Sequence, residues 1–189
     1  MGREEELKKL AVALAQAVTN IFKEKADITF SKEPVIVKKN ILEYNGRMRA
    51  DGMEKFNNPT FVSFVNYYAN TKDLEKHSAL GALVVYVEQN QVPGLLKMLK
   101  YPPIDDEDEN AMKDGCGTLS NIIAGKFKSQ ISALGHAELE MSPFSNYRNS
   151  AANGVPFCFK EYDKYEISFY IENQKRLVVE MTMGVIPRK

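Results

Sequence analysis

The stretch Asp105–Gly135, DDEDENAMKDGCGTLSNIIAGKFKSQISALG, carries an apolar stripe in which Met112, Cys116, Leu119, Ile123, Phe127, Ile131 and Leu134 recur at steps of four or three. That spacing predicts a long α-helix pressing one side into a core. At roughly 100° per residue, Asp114, Thr118, Asn121, Gly125 and Lys128 fall together on the opposite side, where they are expected to face water or a partner. The acidic run at its start needs no special function. Pro102 and Pro103 end the preceding segment, Asp105 or Asp106 is expected to cap the free N–H groups, and further carboxylates lie near the positive end of the macrodipole. Gly115, Gly117 and Gly125 each cost about 1 kcal/mol against Ala inside a helix, so each asks for a reason. Either they relieve crowding against a neighbouring helix or sheet, or, as at Gly125 one turn after Asn121, the missing side chain leaves the polar side low enough for another molecule to dock.

Outward from this helix the chain alternates between well-patterned and poorly patterned segments. From Glu4 to about Lys25, Leu7, Leu10, Ala11, Leu14, Val18, Ile21 and Phe22 keep helical spacing, which predicts a second long amphipathic helix. Ala26–Asn40 mixes β-branched and polar residues and reads as one strand interrupted at Pro34. Residues 41–60 lack a period and hold the turn signals Asn45-Gly46, Asp51-Gly52 and Asn57-Asn58-Pro59, so they read as an irregular insertion or hairpin. Phe61–Tyr68 and Gly81–Glu88 have the aromatic and β-branched content of central strands. Pro93 opens a short helix that buries Leu95, Leu96 and Leu99.

After the long helix, His136–Met141 is expected to be a strand and the segment SPFSNYRNSAANG a long loop, with extended structure resuming at Val155–Phe159. Tyr165, Ile167, Phe169 and Ile171 alternate with polar neighbours, as do Leu177, Val179, Met181 and Met183, which predicts a closing hairpin. The class is therefore α+β, a largely antiparallel sheet packed against two long helices and one short helix.

The 189 residues fit one domain, and 44% hydrophobic with 26% charged residues is an ordinary globular composition. Lys plus Arg and Asp plus Glu balance at 25 each, so no net positive field holds a nucleic acid. No apolar run reaches the roughly 20 residues that span a bilayer, and GREEELKK is too charged for a secretory signal, so a cytoplasmic location is expected. Cys116 on the apolar stripe and Cys158 on an apolar run read as buried free thiols. His77 and His136 lack nearby second ligands, and no metal site is expected. No nucleophile elbow, P-loop, dinucleotide fingerprint or calcium loop is present.

The residues of the long helix resemble a known family. Asp114, Asn121 and Gly125, followed by KFKSQISALG, are similar to the signature helix of the CheC/CheX chemotaxis phosphatases, D-x3-E-x2-N-x3-G, and the order of elements over most of the chain resembles a CheX-type domain. Thr118 stands where the family has its glutamate. A second E-x2-N on the first helix, known in the CheC branch, is not found: Ala17 precedes Asn20 by three residues.

The resemblance implies removal of the phosphoryl group from the aspartate of a phosphorylated CheY-type response regulator. Asn121 would hold the attacking water, and the receiver would supply its own Mg ion and lysine. In the family the glutamate pairs with that lysine. Thr118 cannot, because it offers an uncharged hydroxyl, and a mid-helix threonine often bonds back to its own helix instead; Asp114 is the candidate to take over the electrostatic role. Asn121, Asp114 and Thr118 are the expected catalytic residues, with Gly125 and Lys128 partner-binding and no cofactor bound to the chain itself. Relatives dimerise through their sheets, so a homodimer is also implied. The alternative is a catalytically silent receiver-binding or scaffold module of the same fold.

Overall fold

The computed structural model describes residues 2–189. In chain order the elements are α1 (Arg3–Ala26), β1 (Val35–Asn40), β2 (Glu43–Tyr44), β3 (Arg47–Met48), α2 (Met53–Phe56), β4 (Thr60–Tyr68), α3 (Thr71–Glu75) and β5 (Gly81–Glu88). A 3-10 turn at Gln89–Gln91 leads to α4 (Val92–Met98) and α5 (Glu109–Ala133). Then come β6 (Glu140–Met141), β7 (Ser145–Arg148), β8 (Asp163–Ile171) and β9 (Gln174–Met183). The main sheet runs β1-β8-β9-β5-β4-β6, every pairing antiparallel, with β7 beside β6 on the same edge of β4.

The α+β architecture expected from the patterning is thus present, with α1, α5 and the short α4 on one face of the sheet. Phe61, Val65, Leu83, Val85, Ile167, Phe169, Val179 and Met181 meet the apolar stripes of α1 and α5 in one buried cluster. Period-2 alternation sends the intervening residues to the other face, and that face is apolar too. Val62, Phe64, Val84, Tyr86 and Val178 pack there against Met48, Ala50, Ala151, Val155 and Phe157. Residues 41–60, unreadable by period, form this second cover together with residues 150–157: Asn45 and Gly46 turn β2 into β3 with both φ angles positive, and α2 follows. The strands β4 and β5 are buried on both sides, which explains their unbroken apolar runs.

Several boundaries differ from the expectations. Only Val35–Asn40 of the Ala26–Asn40 segment is strand, because Asp27 ends α1 in the left-handed region. Phe30 then turns inward, its ring 5.3 Å from Phe22 and 5.2 Å from Phe169. The expected strand His136–Met141 shrinks to Glu140–Met141, and Val155 makes an isolated bridge to Met48 in place of a strand. The expected loop after Met141 contains β7. The cap of α5 is Asp108, whose carboxylate accepts from the Ala111 N–H at 3.1 Å, while Asp105 stabilises the turn before it by accepting from Glu107 N–H at 2.9 Å. Cys116 is buried as expected and Cys158 is only half-buried, both as free thiols.

Candidate functional site

The rotation of α5 about its own axis decides which side chains reach solvent, and two polar contacts with β4 fix it. Ser120 Oγ lies 2.8 Å from Ser63 Oγ and donates to the Gly117 carbonyl at 2.7 Å. One turn further, the buried Tyr67 hydroxyl donates to the Ala124 carbonyl at 2.8 Å. With Ser120 and Ala124 turned to the sheet, Asp114, Thr118 and Asn121 are exposed, and Gly125 and Lys128 are half-buried beside them.

The glycines separate into two kinds. A Cβ on Gly115 would lie 2.5 Å from Leu96 Cδ1 and 2.7 Å from Ile104 Cδ1, and one on Gly117 would lie 2.2 Å from the Phe144 ring. Both therefore permit close packing within the chain. At Gly125 a Cβ would meet nothing within 4 Å, so internal crowding does not account for that glycine.

Each polar side chain on this face has a distinct state. Thr118 Oγ1 donates to the Asp114 carbonyl at 3.1 Å, the back-bond expected of a mid-helix threonine, so its proton is spent on its own helix. Asp114 Oδ1 accepts from Asn146 Nδ2 at 3.0 Å, and the same amide donates to the Lys113 carbonyl at 3.3 Å. Lys128 Nζ lies 3.5 Å from Glu138. Lys126 Nζ lies 3.8 Å from Glu24 of α1, a tie between the two long helices. Asn121, by contrast, is exposed, and its amide is engaged by no other described residue. Asp114 and Asn121 are seven residues apart, about 10 Å along the helix axis, so they share a face without touching.

No family model and no curated protein matches the sequence. Among solved structures, the chain is similar to a CheC-like superfamily protein from Shewanella sp. PV-4, with a TM-score of 0.57 and 13% identity over 91% of this chain and 95% of that one. It is similar also to a chain of the CheX–CheY–BeF3–Mg2+ complex from Borrelia burgdorferi, with a TM-score of 0.52 and 14% identity over 92% and 97%. A third likeness, to FliY from Thermotoga maritima, has a TM-score of 0.52 and 13% identity over 98% and 92%. The chain has the CheC/CheX fold.

Within the CheC/CheX fold of this chain, β7 is the part of the site that sequence reasoning missed. Ser63 pairs with Asn146 in the β4–β7 register, and opposed residues on neighbouring strands share a face. Since Ser63 faces α5, Asn146 does too, which is how it reaches Asp114. Phe144, two residues earlier on the same side, lays its ring over Gly117. The segment SNYR has no apolar alternation to announce a strand, because Asn146 sits where a core residue would be expected. Among the described residues no group of three or more His, Cys, Asp or Glu is placed to hold a metal ion, and no helix is long and apolar enough to cross a membrane.

Proposed function

We propose that this protein binds a phosphorylated CheY-type receiver domain against the exposed face of α5 and accelerates hydrolysis of its aspartyl phosphate. The observation that carries the reading is Asn121: an unengaged amide, held outward by the Ser120 and Tyr67 contacts, next to a glycine that no internal packing explains. The similarity to a chain of a CheX–CheY complex supports the choice of partner.

An amide both donates and accepts, so Asn121 can hold a water in line with phosphorus. The water oxygen bonds to phosphorus and the bond from phosphorus to the aspartyl oxygen breaks. The products are the free receiver carboxylate and inorganic phosphate, with the water proton leaving to the phosphate or to solvent. Phosphoryl transfer needs chiefly positioning and charge neutralisation. In this reading the receiver contributes its Mg ion and lysine, and this chain contributes the water-orienting amide. Gly125 and Lys128 extend the contact surface along the helix.

The second reading, a silent receiver-binding or scaffold module, is favoured by Thr118, whose back-bonded hydroxyl cannot replace a carboxylate. A receiver loaded with acetyl phosphate separates the two. Hydrolysis predicts that the protein shortens the phosphoreceiver lifetime and that Asn121→Ala abolishes most of this, a loss of about 100-fold in rate for a misplaced nucleophile. A lifetime unchanged by wild-type protein that nonetheless binds the receiver would establish the silent module.

A homodimer, in this reading, pairs through a sheet edge, since the outer face of the sheet is covered by the chain's own residues. β1 is the terminal strand and leaves Val35 and Val37 39% and 42% exposed. Sedimentation of a Val37→Lys variant should then show monomer where wild type shows dimer.

A further inference from the structure

We propose that Asn146 is a positioning residue which holds the Asp114 carboxylate as the anionic docking contact for a cationic group on the receiver. This inference rests on the receiver-binding reading and names the contact that replaces the missing glutamate.

Between Lys113 and Ala133, Asp114 is the single carboxylate on α5. The neighbouring acids are already engaged: Glu138 with Lys128, Glu24 with Lys126, and Glu109 3.7 Å from Arg148. Thr118 offers neither charge nor a free proton. On the exposed face of α5 itself, the one carboxylate a cation near Asn121 meets is therefore Asp114.

That carboxylate does not swing freely. Asn146 donates to its Oδ1 at 3.0 Å and to the Lys113 carbonyl at 3.3 Å, so the amide bridges side chain and backbone of the same turn. Among the described residues Oδ2 has no such donor and is left to accept from outside. β7 is in turn fixed by its register with β4 and by the stack of Tyr147 on Phe64, centroids 6.1 Å apart. An acceptor oriented before binding loses less side-chain freedom when the complex forms. The contact lies one helical turn, about 6 Å, further toward the N-terminus than the position Thr118 occupies.

The test is steady-state dephosphorylation of a CheY-type receiver by wild type, Asp114→Asn, Asn146→Ala and the double variant, with melting temperatures measured alongside. Asp114→Asn keeps an acceptor for Asn146 and removes only the charge, so it guards against a variant that merely unfolds. The expected result is a rise in KM of roughly tenfold for each single variant, with the loss falling in KM and not in kcat. The double variant should be no worse than Asp114→Asn alone, because Asn146 acts through Asp114. Asn121→Ala should show the opposite split. An unchanged KM in Asp114→Asn, or an additive loss in the double variant, overturns the inference while the receiver reading stands. A wild-type protein that neither binds nor dephosphorylates the receiver overturns both.

Discussion

Asn121 and Thr118 stand three residues apart on one helix face and have opposite fates. Asn121 keeps its donors and acceptor free, while the Thr118 hydroxyl returns its proton to the Asp114 carbonyl at 3.1 Å. In the proposed reading a threonine in place of the family's carboxylate costs the site charge without disturbing the helix, since Thr118 is exposed and, among the described residues, its side chain bonds only to the Asp114 carbonyl. The reverse substitution is therefore a clean probe. Glu favours helix over Thr, and at this position its carboxylate would point to the same solvent as Asn121. Thr118→Glu should leave the melting temperature within about 2 °C of wild type and raise receiver affinity by roughly tenfold, the scale of one well-placed interfacial ion pair. Surface plasmon resonance against phosphoreceiver measures the affinity. A lower affinity would show that the partner's complementary group is not a cation and that the docking face is arranged differently.

At the scale of the element, α5 combines glycines that serve the chain's own packing with one that does not. Gly117→Ala would set a methyl 2.2 Å from the Phe144 ring. Displacing the ring costs about 1–3 kcal/mol of overpacking against about 1 kcal/mol gained in helix propensity. The net is a loss of stability, read as a lower melting temperature. Gly125→Ala meets open space, so it should stabilise by up to about 1 kcal/mol, or about 2–4 °C for a chain of this length. If a partner docks there, the same variant weakens receiver binding, and stability and function move in opposite directions. A stabilised Gly125→Ala with unaltered binding would remove Gly125 from the docking surface.

The legibility of the sequence followed the same division between elements. The stripes of α1 and α5 and the runs of β4, β5, β8 and β9 are long, and each is where its pattern places it except for Leu134, which caps the end of α5 and is 45% exposed instead of joining the core. The exposed side of α5 was legible because it is the complement of such a stripe. What escaped is short or aperiodic. Asn146 interrupts the alternation of β7, and nothing local shows that Ser63 lies opposite. The distinction between Gly115, Gly117 and Gly125 depends on Leu96, Ile104 and Phe144, which arrive from other parts of the chain.

For the molecule as a whole, the outer face of the sheet raises the question of how an irregular segment is held on it. Glu180 of β9 is fully buried, with Lys164 Nζ at 2.7 Å and Lys55 Nζ at 3.0 Å, and it accepts from the Tyr86 hydroxyl. Lys55 belongs to α2 and also contacts Glu166, which Lys39 of β1 reaches at 2.8 Å. The cover is thus tied to two strands of the sheet, β8 and β9, through one buried ammonium. With that face covered, the proposed receiver has the α5 side of the molecule to dock on.

Burial alone would push the Glu166 carboxyl up, but hydrogen bonds and charge from Lys39 and Lys55 outweigh it, and the net is below the ordinary 4.5. A depressed carboxylate contributes stability that is present above its unfolded value and is lost as pH falls through the folded one. Burial likewise pulls the Lys55 ammonium down, yet Glu180 and Glu166 leave it above the ordinary 10.5. That contribution is complete below 10.5 and disappears only at higher pH.

Between these limits Lys55→Met leaves buried carboxylates short of a partner, and breaking such a network costs about 3–5 kcal/mol. Denaturation in urea at pH 7 should show that gap between wild type and variant. Below about pH 4.5, as Glu166 protonates and needs its ammonium less, the two stability curves should converge. A gap that stays constant from pH 7 to pH 3 would mean that Lys55 holds the cover through the packing of its stem and that its charge is incidental.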